Sequence, residues 1–234
     1  MTATHEQVAH ALAWLERNGS AKRREEMVSR YGITAHKAFG VSMSSMQKLA
    51  KQLGKDHALA AALWDTGWYE ARMLAAFVDE PDRVTAAQMD RWARDFDSWA
   101  VCDTLCFHLF DRSRHAWPKI EQWSRNRHEF VKRAAFALLA CVALHDKTIS
   151  DEKFVASLLL VERGAPDERH FVKKSVSWAL RAIGERSAVA KAAALTTAER
   201  LLISPDASAR WVGRDALKAL TRANTRRATP ARKS

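Results

Sequence analysis

A twelve-residue run, Ser98–Trp99–Ala100–Val101–Cys102–Asp103–Thr104–Leu105–Cys106–Phe107–His108–Leu109, sets a single carboxylate in a mainly apolar segment. Asp103 follows Trp99 by four positions, and residues i and i+4 share one face of a helix. An unpaired buried charge is costly, so such an acid has either a partner on a neighbouring helix or a chemical task. If the task is chemical, the residue types suit a reaction that develops positive charge. A carboxylate stabilises a forming cation electrostatically, and an indole face adds a cation–π contribution.

The elements that must hold these side chains read as helices. The chain of 234 residues has 8 glycines and 5 prolines, a composition that favours helix over strand. Thr4 with Gln7 and Thr85 with Gln88 have capping-box spacing, and Ser20, Ser42, Ser98, Ser150 and Asp167 precede periodic apolar runs as N-caps. About a dozen helices of roughly 10–17 residues follow, joined by short connections. The longest irregular stretch near the front is Gly32–Val41, ahead of the helix opened by Ser42.

The helices repeat. Phe130–Val131–Lys132–Arg133–Ala134–Ala135 returns as Phe171–Val172–Lys173–Lys174–Ser175–Val176, and more weakly as Trp211–Val212–Gly213–Arg214–Asp215–Ala216. A period near ~40 residues marks a HEAT-like repeat of helix pairs, each needing neighbours to bury its apolar face. The expected fold is therefore all-α, an α-solenoid of antiparallel pairs with a concave basic groove. One repeat domain is expected over 1–222, with a basic, disordered tail over 223–234. Superposing the repeats aligns Arg133, Lys174 and Arg214, with Trp178 one turn beyond Lys174. Lys132, Lys173 and Arg210 add to this cationic series, which suits phosphates as the indoles suit sugar or base. The plain alternative is that the tryptophans are core residues and the cations are solvated or paired with Glu129 and Glu168.

Charge is unevenly placed. Residues 1–120 hold 16 Lys/Arg and 15 Asp/Glu, whereas residues 121–234 hold 22 and 12. The excess points to a polyanionic partner, nucleic acid above all, engaged mainly by the C-terminal half. No apolar run approaches the ~20 residues of a membrane span, and no signal-peptide pattern opens the chain. Three cysteines without a CxxC spacing fit reduced thiols and a cytoplasmic setting. The nine histidines are scattered, so neither a metal nor any other cofactor is expected.

Taken together, Trp99–x3–Asp103, Phe130–Val131–Lys132–Arg133–Ala134–Ala135 and Lys174–x3–Trp178–Ala179–Leu180–Arg181 resemble the HEAT-like-repeat DNA alkylation repair enzymes, the AlkD type of alkylpurine DNA glycosylase. Arg30–Tyr31 with Phe39–Gly40–Val41, and Leu63–Trp64 before Tyr69–Glu70–Ala71–Arg72, extend the resemblance over roughly residues 10–220. It implies that Asp103 is the catalytic acid, Trp99 and Trp178 flank the lesion, Arg133 binds phosphate, and Tyr31 lies near the nucleic acid. Ser98 stands where many members carry an aromatic. The implied activity is hydrolysis of N3- or N7-alkylated purines from duplex DNA, without a base-flipping pocket. The sequence itself offers no sign of an oligomer, so a monomer is expected. Two alternatives stay open: a self-resistance glycosylase for one bulky alkylating natural product, and a non-catalytic scaffold for nucleic acid or protein.

Overall fold

The computed structural model describes residues 3–227, with side chains described for 3–222, as thirteen α-helices and two short 3-10 turns. The chain divides into two compact units, Met1–Ala116 and Trp117–Ser234. Charge follows this division: the first unit has 15 Lys/Arg against 15 Asp/Glu, the second 23 against 12.

The first unit contains α1 (Ala3–Arg17), α2 (Ala21–Tyr31), α3 (Met43–Leu53), α4 (His57–Asp65), α5 (Tyr69–Val78), α6 (Ala86–Arg94) and α7 (Trp99–His108). Helix α5 is its centre, packing against α3, α4 and α7 and burying eight of its ten residues. Trp64 and Trp92 stack with ring centroids 4.4 Å apart in the core, and Trp64 Nε1 donates to Asp95 Oδ2 at 2.8 Å. Several tryptophans are thus core residues, as a chain with nine of them requires. The Thr85–Gln88 capping box forms in both directions, and Ser20 and Ser42 cap α2 and α3. Thr4 lies inside α1, which begins at Ala3, so it opens no capping box there.

The second unit carries α8 (Ala116–Trp123), α9 (Glu129–His145), α10 (Asp151–Gly164), α11 (His170–Gly184), α12 (Ala188–Leu202) and α13 (Ala207–Arg227). Helix α11 packs on both α9 and α13, while α10 packs on α12, the two-row stacking of HEAT-like pairs. The repeat signature has a physical cause. Val131, Val172 and Val212 are all buried at equivalent positions, and Phe130 lies against Phe171 with centroids 5.3 Å apart. Gly213 replaces the lysine of the earlier repeats because a Cβ there would stand 2.6 Å from the Ala198 carbonyl oxygen of α12. The N-cap of α11 is Arg169, not Asp167; Asp167 instead accepts the Arg169 backbone N–H and holds its guanidinium. Helix α13 continues to Arg227, so the expected tail at 223–234 begins in helix, and residues 228–234 lie outside the described residues.

Candidate functional site

A buried carboxylate organises the front of the first unit. Glu70, fully buried in α5, accepts the backbone N–H groups of Phe39, Gly40 and Val41 at 3.0, 2.7 and 3.2 Å. The three bonds offset the cost of burying the charge and fix the 32–41 loop against α5. Gly40, at φ +81°, admits no side chain because a Cβ would meet the Ser20 carbonyl at 2.3 Å. Phe39 then stacks on Trp68 at 4.0 Å. Gly32 ends α2 in the left-handed conformation, with Ile33 N–H returning to the Met27 carbonyl. Both ends of the loop, Ile33 and Val41, are buried.

This frame sets α2 beside α7. Helix α2 buries no residue of its own, yet its last carbonyl is held: Trp99 Nε1 donates to the Tyr31 backbone oxygen at 3.0 Å. Tyr31, Trp99 and the half-buried Asp103 line one cavity of about 380 Å³, together with Tyr69, Thr104 and Met46. Arg23 and Glu26 of α2 line it as well. The structure therefore brings together three of the residues singled out in the sequence, two of which are 68 positions apart in the chain.

Tyr69 is one of the lining residues to which sequence reasoning gave no role. Burial, reinforced by the negative charges of Glu70 and Asp97, pushes its phenol well above the ordinary tyrosine range. It stays protonated and so remains a hydrogen-bond donor at the cavity. Its signal was present in the Tyr69–Glu70 pair, whose position beside the 32–41 loop only the fold reveals. Ser98 sits at the N-cap of α7 without a side-chain capping bond.

The remaining candidates lie in the second unit. Arg133 is buried, its Nη1 donating to the Phe171 carbonyl at 2.7 Å and its guanidinium over the Phe171 ring. Lys132 pairs with Asp167 at 2.9 Å. Arg169 and then Lys132 hold the Asp167 carboxyl far below the usual carboxylate range. Lys173 lies over the Trp211 ring at 5.3 Å, and Trp178 is half-buried. Arg210 donates to the carbonyls of Ser204 and Pro205 in the connection between α12 and α13, whereas Lys174 and Arg214 are exposed. The three aligned cations thus differ: two face solvent, and Arg133 is turned into the neighbouring helix.

One further residue marks where these cations converge. His170, exposed at the start of α11, has its imidazole pKa lowered by desolvation and then by Lys174, Lys173 and Arg133, against a weaker opposing effect of Glu129. A positive field acts on that ring, and a bound anion would relieve it. The three cysteines are buried and none is in a disulfide. Among the described residues there is no helix long and apolar enough to cross a membrane, and no cluster of metal-ligating side chains.

Comparison with known proteins accords with this architecture. A solved structure described as a new family of proteins related to the HEAT-like repeat DNA glycosylases with affinity for branched DNA structures is similar at TM-score 0.77. It is 19% identical, over 92% of this chain and 94% of that one. A designed armadillo repeat protein is similar at TM-score 0.33 and 15% identity, over 76% of this chain and 92% of that one. No curated protein matches by sequence. The model of the DNA alkylation repair enzyme family matches residues 11–220, and the chain belongs to that family.

Proposed function

We propose that the chain is a monofunctional alkylpurine DNA glycosylase, hydrolysing the N-glycosidic bond of purines alkylated at N3 or N7 in duplex DNA. The observation that carries this reading is the shared cavity lined by Asp103, Trp99 and Tyr31. A purine alkylated at either position is already cationic, so the bond between C1′ and the base breaks with the electron pair leaving on the base. The demand falls on the sugar, which becomes oxocarbenium-like. Asp103 stabilises that charge, and it orients or deprotonates the water that adds to C1′. Trp99 presents an aromatic face to the cationic sugar. No lysine lines the cavity among the described residues, which favours hydrolysis over Schiff-base chemistry. The alkylated base leaves without an enclosing pocket of its own. On the second unit, Trp178 offers an indole to sugar or base, and Lys174 and Arg214 offer exposed cations to phosphates, which fix register without reading sequence.

The test is single-turnover release of 7-methylguanine and 3-methyladenine from methylated duplex DNA, with wild type beside Asp103→Asn. Release by wild type, slowed at least ~30-fold in the variant, is the expected result for loss of a principal electrostatic group. Equal rates would remove Asp103 from the chemistry. A second reading, a DNA-binding scaffold without chemistry, draws on the similar structure described as having affinity for branched DNA. Duplex binding with no base release from any alkylated substrate would favour it.

A further inference from the structure

Three of the four helices that line the Asp103 cavity, α3, α5 and α7, line a second one at their other ends. Met43, Tyr69 and Ala100 belong to the first cavity; Lys51, Phe77 and His108, each eight residues further along α3, α5 and α7, belong to the second. At 1.5 Å per residue the two openings are ~12 Å apart along the helices, about three to four base-pair steps of duplex. The second cavity measures about 360 Å³, within the roughly 300–1,000 Å³ of small-molecule sites.

Its chemistry differs from that of the first. No carboxylate lines it among the described residues. Phe77 and His108 form an aromatic corner, with centroids 4.8 Å apart and planes inclined at 64°. Ala50 and Gly54 add small residues to the lining, and a Cβ built on Gly54 would meet nothing within 4 Å. Two lysines, Lys51 and Lys55, line the same cavity. Lys51 is exposed at the rim, and Lys55 reaches the Asp79 carbonyl at 2.7 Å. Desolvation and the nearby Arg112 lower the Lys55 pKa, against the opposing charges of Asp79 and Glu80. Asp79 itself is engaged by His57 and Gln88.

An aromatic corner in a cavity that two lysines also line is complementary to a flat base attached to a phosphate. We infer that this second cavity holds one unpaired nucleotide of the bound DNA, its base against Phe77 and His108 and its phosphate on Lys51 and Lys55. The inference rests on the proposed DNA-directed function, but it concerns a nucleotide other than the alkylated one. It makes the protein sensitive to an unpaired base a few steps from Asp103.

The experiment compares a blunt, undamaged duplex with the same duplex bearing a short single-stranded tail, by fluorescence anisotropy at fixed salt. Wild type is expected to bind the tailed DNA more tightly. Gln47→Trp places bulk over the mouth from an exposed helix position, and Lys51→Glu reverses the rim charge. Each should reduce the preference for the tail about fivefold or more, the lower end for losing one base stack. Gln47→Trp should leave blunt-duplex affinity unchanged. A 5-iodouracil in the tail should photo-cross-link to the peptides containing Phe77 or His108. Equal binding of tailed and blunt DNA by wild type, or cross-links that avoid both peptides, would overturn the inference. Base release from methylated blunt duplex is measured separately, so failure here is distinguishable from failure of the glycosylase reading.

Discussion

Trp99 and Tyr31 are joined by a hydrogen bond from the indole Nε1 to the backbone carbonyl, 3.0 Å long. It satisfies the last carbonyl of α2, a helix that buries none of its own residues. The residue whose face is assigned to the sugar is therefore also the one that holds a wall of the cavity. Trp99→Phe separates the two roles by keeping an aromatic face and removing the donor. Global stability should fall by about 1 kcal/mol or less, since the bond is exposed. Amide exchange over 21–31 should quicken selectively, measured by hydrogen–deuterium exchange. Unchanged exchange in that helix would show that the indole bond does not hold it.

Glu70 carries a larger share of the local stability. Its two carboxylate oxygens face three N–H donors, and Glu70→Gln would turn an amide NH2 toward at least one of them. Loss of charge-assisted bonds at a buried site should cost about 2–4 kcal/mol. Urea denaturation of the two proteins checks this. A variant as stable as wild type would mean that the loop finds other acceptors.

How much of this was legible beforehand differs residue by residue. The repeat was readable because Val131, Val172 and Val212 each do the same local job, burying one face of a helix, and that leaves a sequence period. The pairing of Trp99 with Asp103 was readable because i and i+4 share a helix face. Glu70 was not, since its partners are backbone N–H groups 29–31 residues earlier, and backbone groups leave no side-chain pattern. Arg133 shows the limit of superposition. Aligning three repeats assumes that each cation meets the same neighbour, but Arg133 has the Phe171 carbonyl of α11 within reach, whereas Arg214 sits on α13, the last described helix.

His170 offers a direct test of where anions bind. Its imidazole pKa lies below the ordinary value of 6.5 because desolvation and the cations Lys174, Lys173 and Arg133 disfavour the charged ring. Phosphates held by those cations would offset their field, so the pKa should rise when duplex DNA binds. NMR titration of the His170 Cε1 proton, free and bound, measures the shift. A value that stays put or falls would place the phosphates away from the start of α11.

The cations of the second unit should also differ in how they shape salt dependence. Lys174 is exposed, so replacing it by alanine should reduce the slope of log affinity against log salt by about 0.9, the value for one phosphate contact on duplex DNA. Lys132 is neutralised by Asp167 at 2.9 Å, and it reaches a phosphate only by leaving that pair. Lys132→Ala should therefore change the slope much less, while removing one of the two cations that hold the Asp167 carboxyl low. The sign of the pH effect follows. A depressed carboxylate pKa contributes stability above its unfolded value near 3.8, and that contribution fades as pH falls toward the folded value. With Lys132 gone the folded value rises, so acid unfolding should differ less from the neutral baseline than in wild type. Arg133→Ala belongs in the same series for the opposite reason. Its guanidinium is buried against Phe171, and its loss should lower stability more than it alters the salt slope. Binding isotherms at several salt concentrations, with a melting curve for each variant, separate the three. A full unit of slope lost with Lys132 would show that Asp167 gives up its partner to DNA.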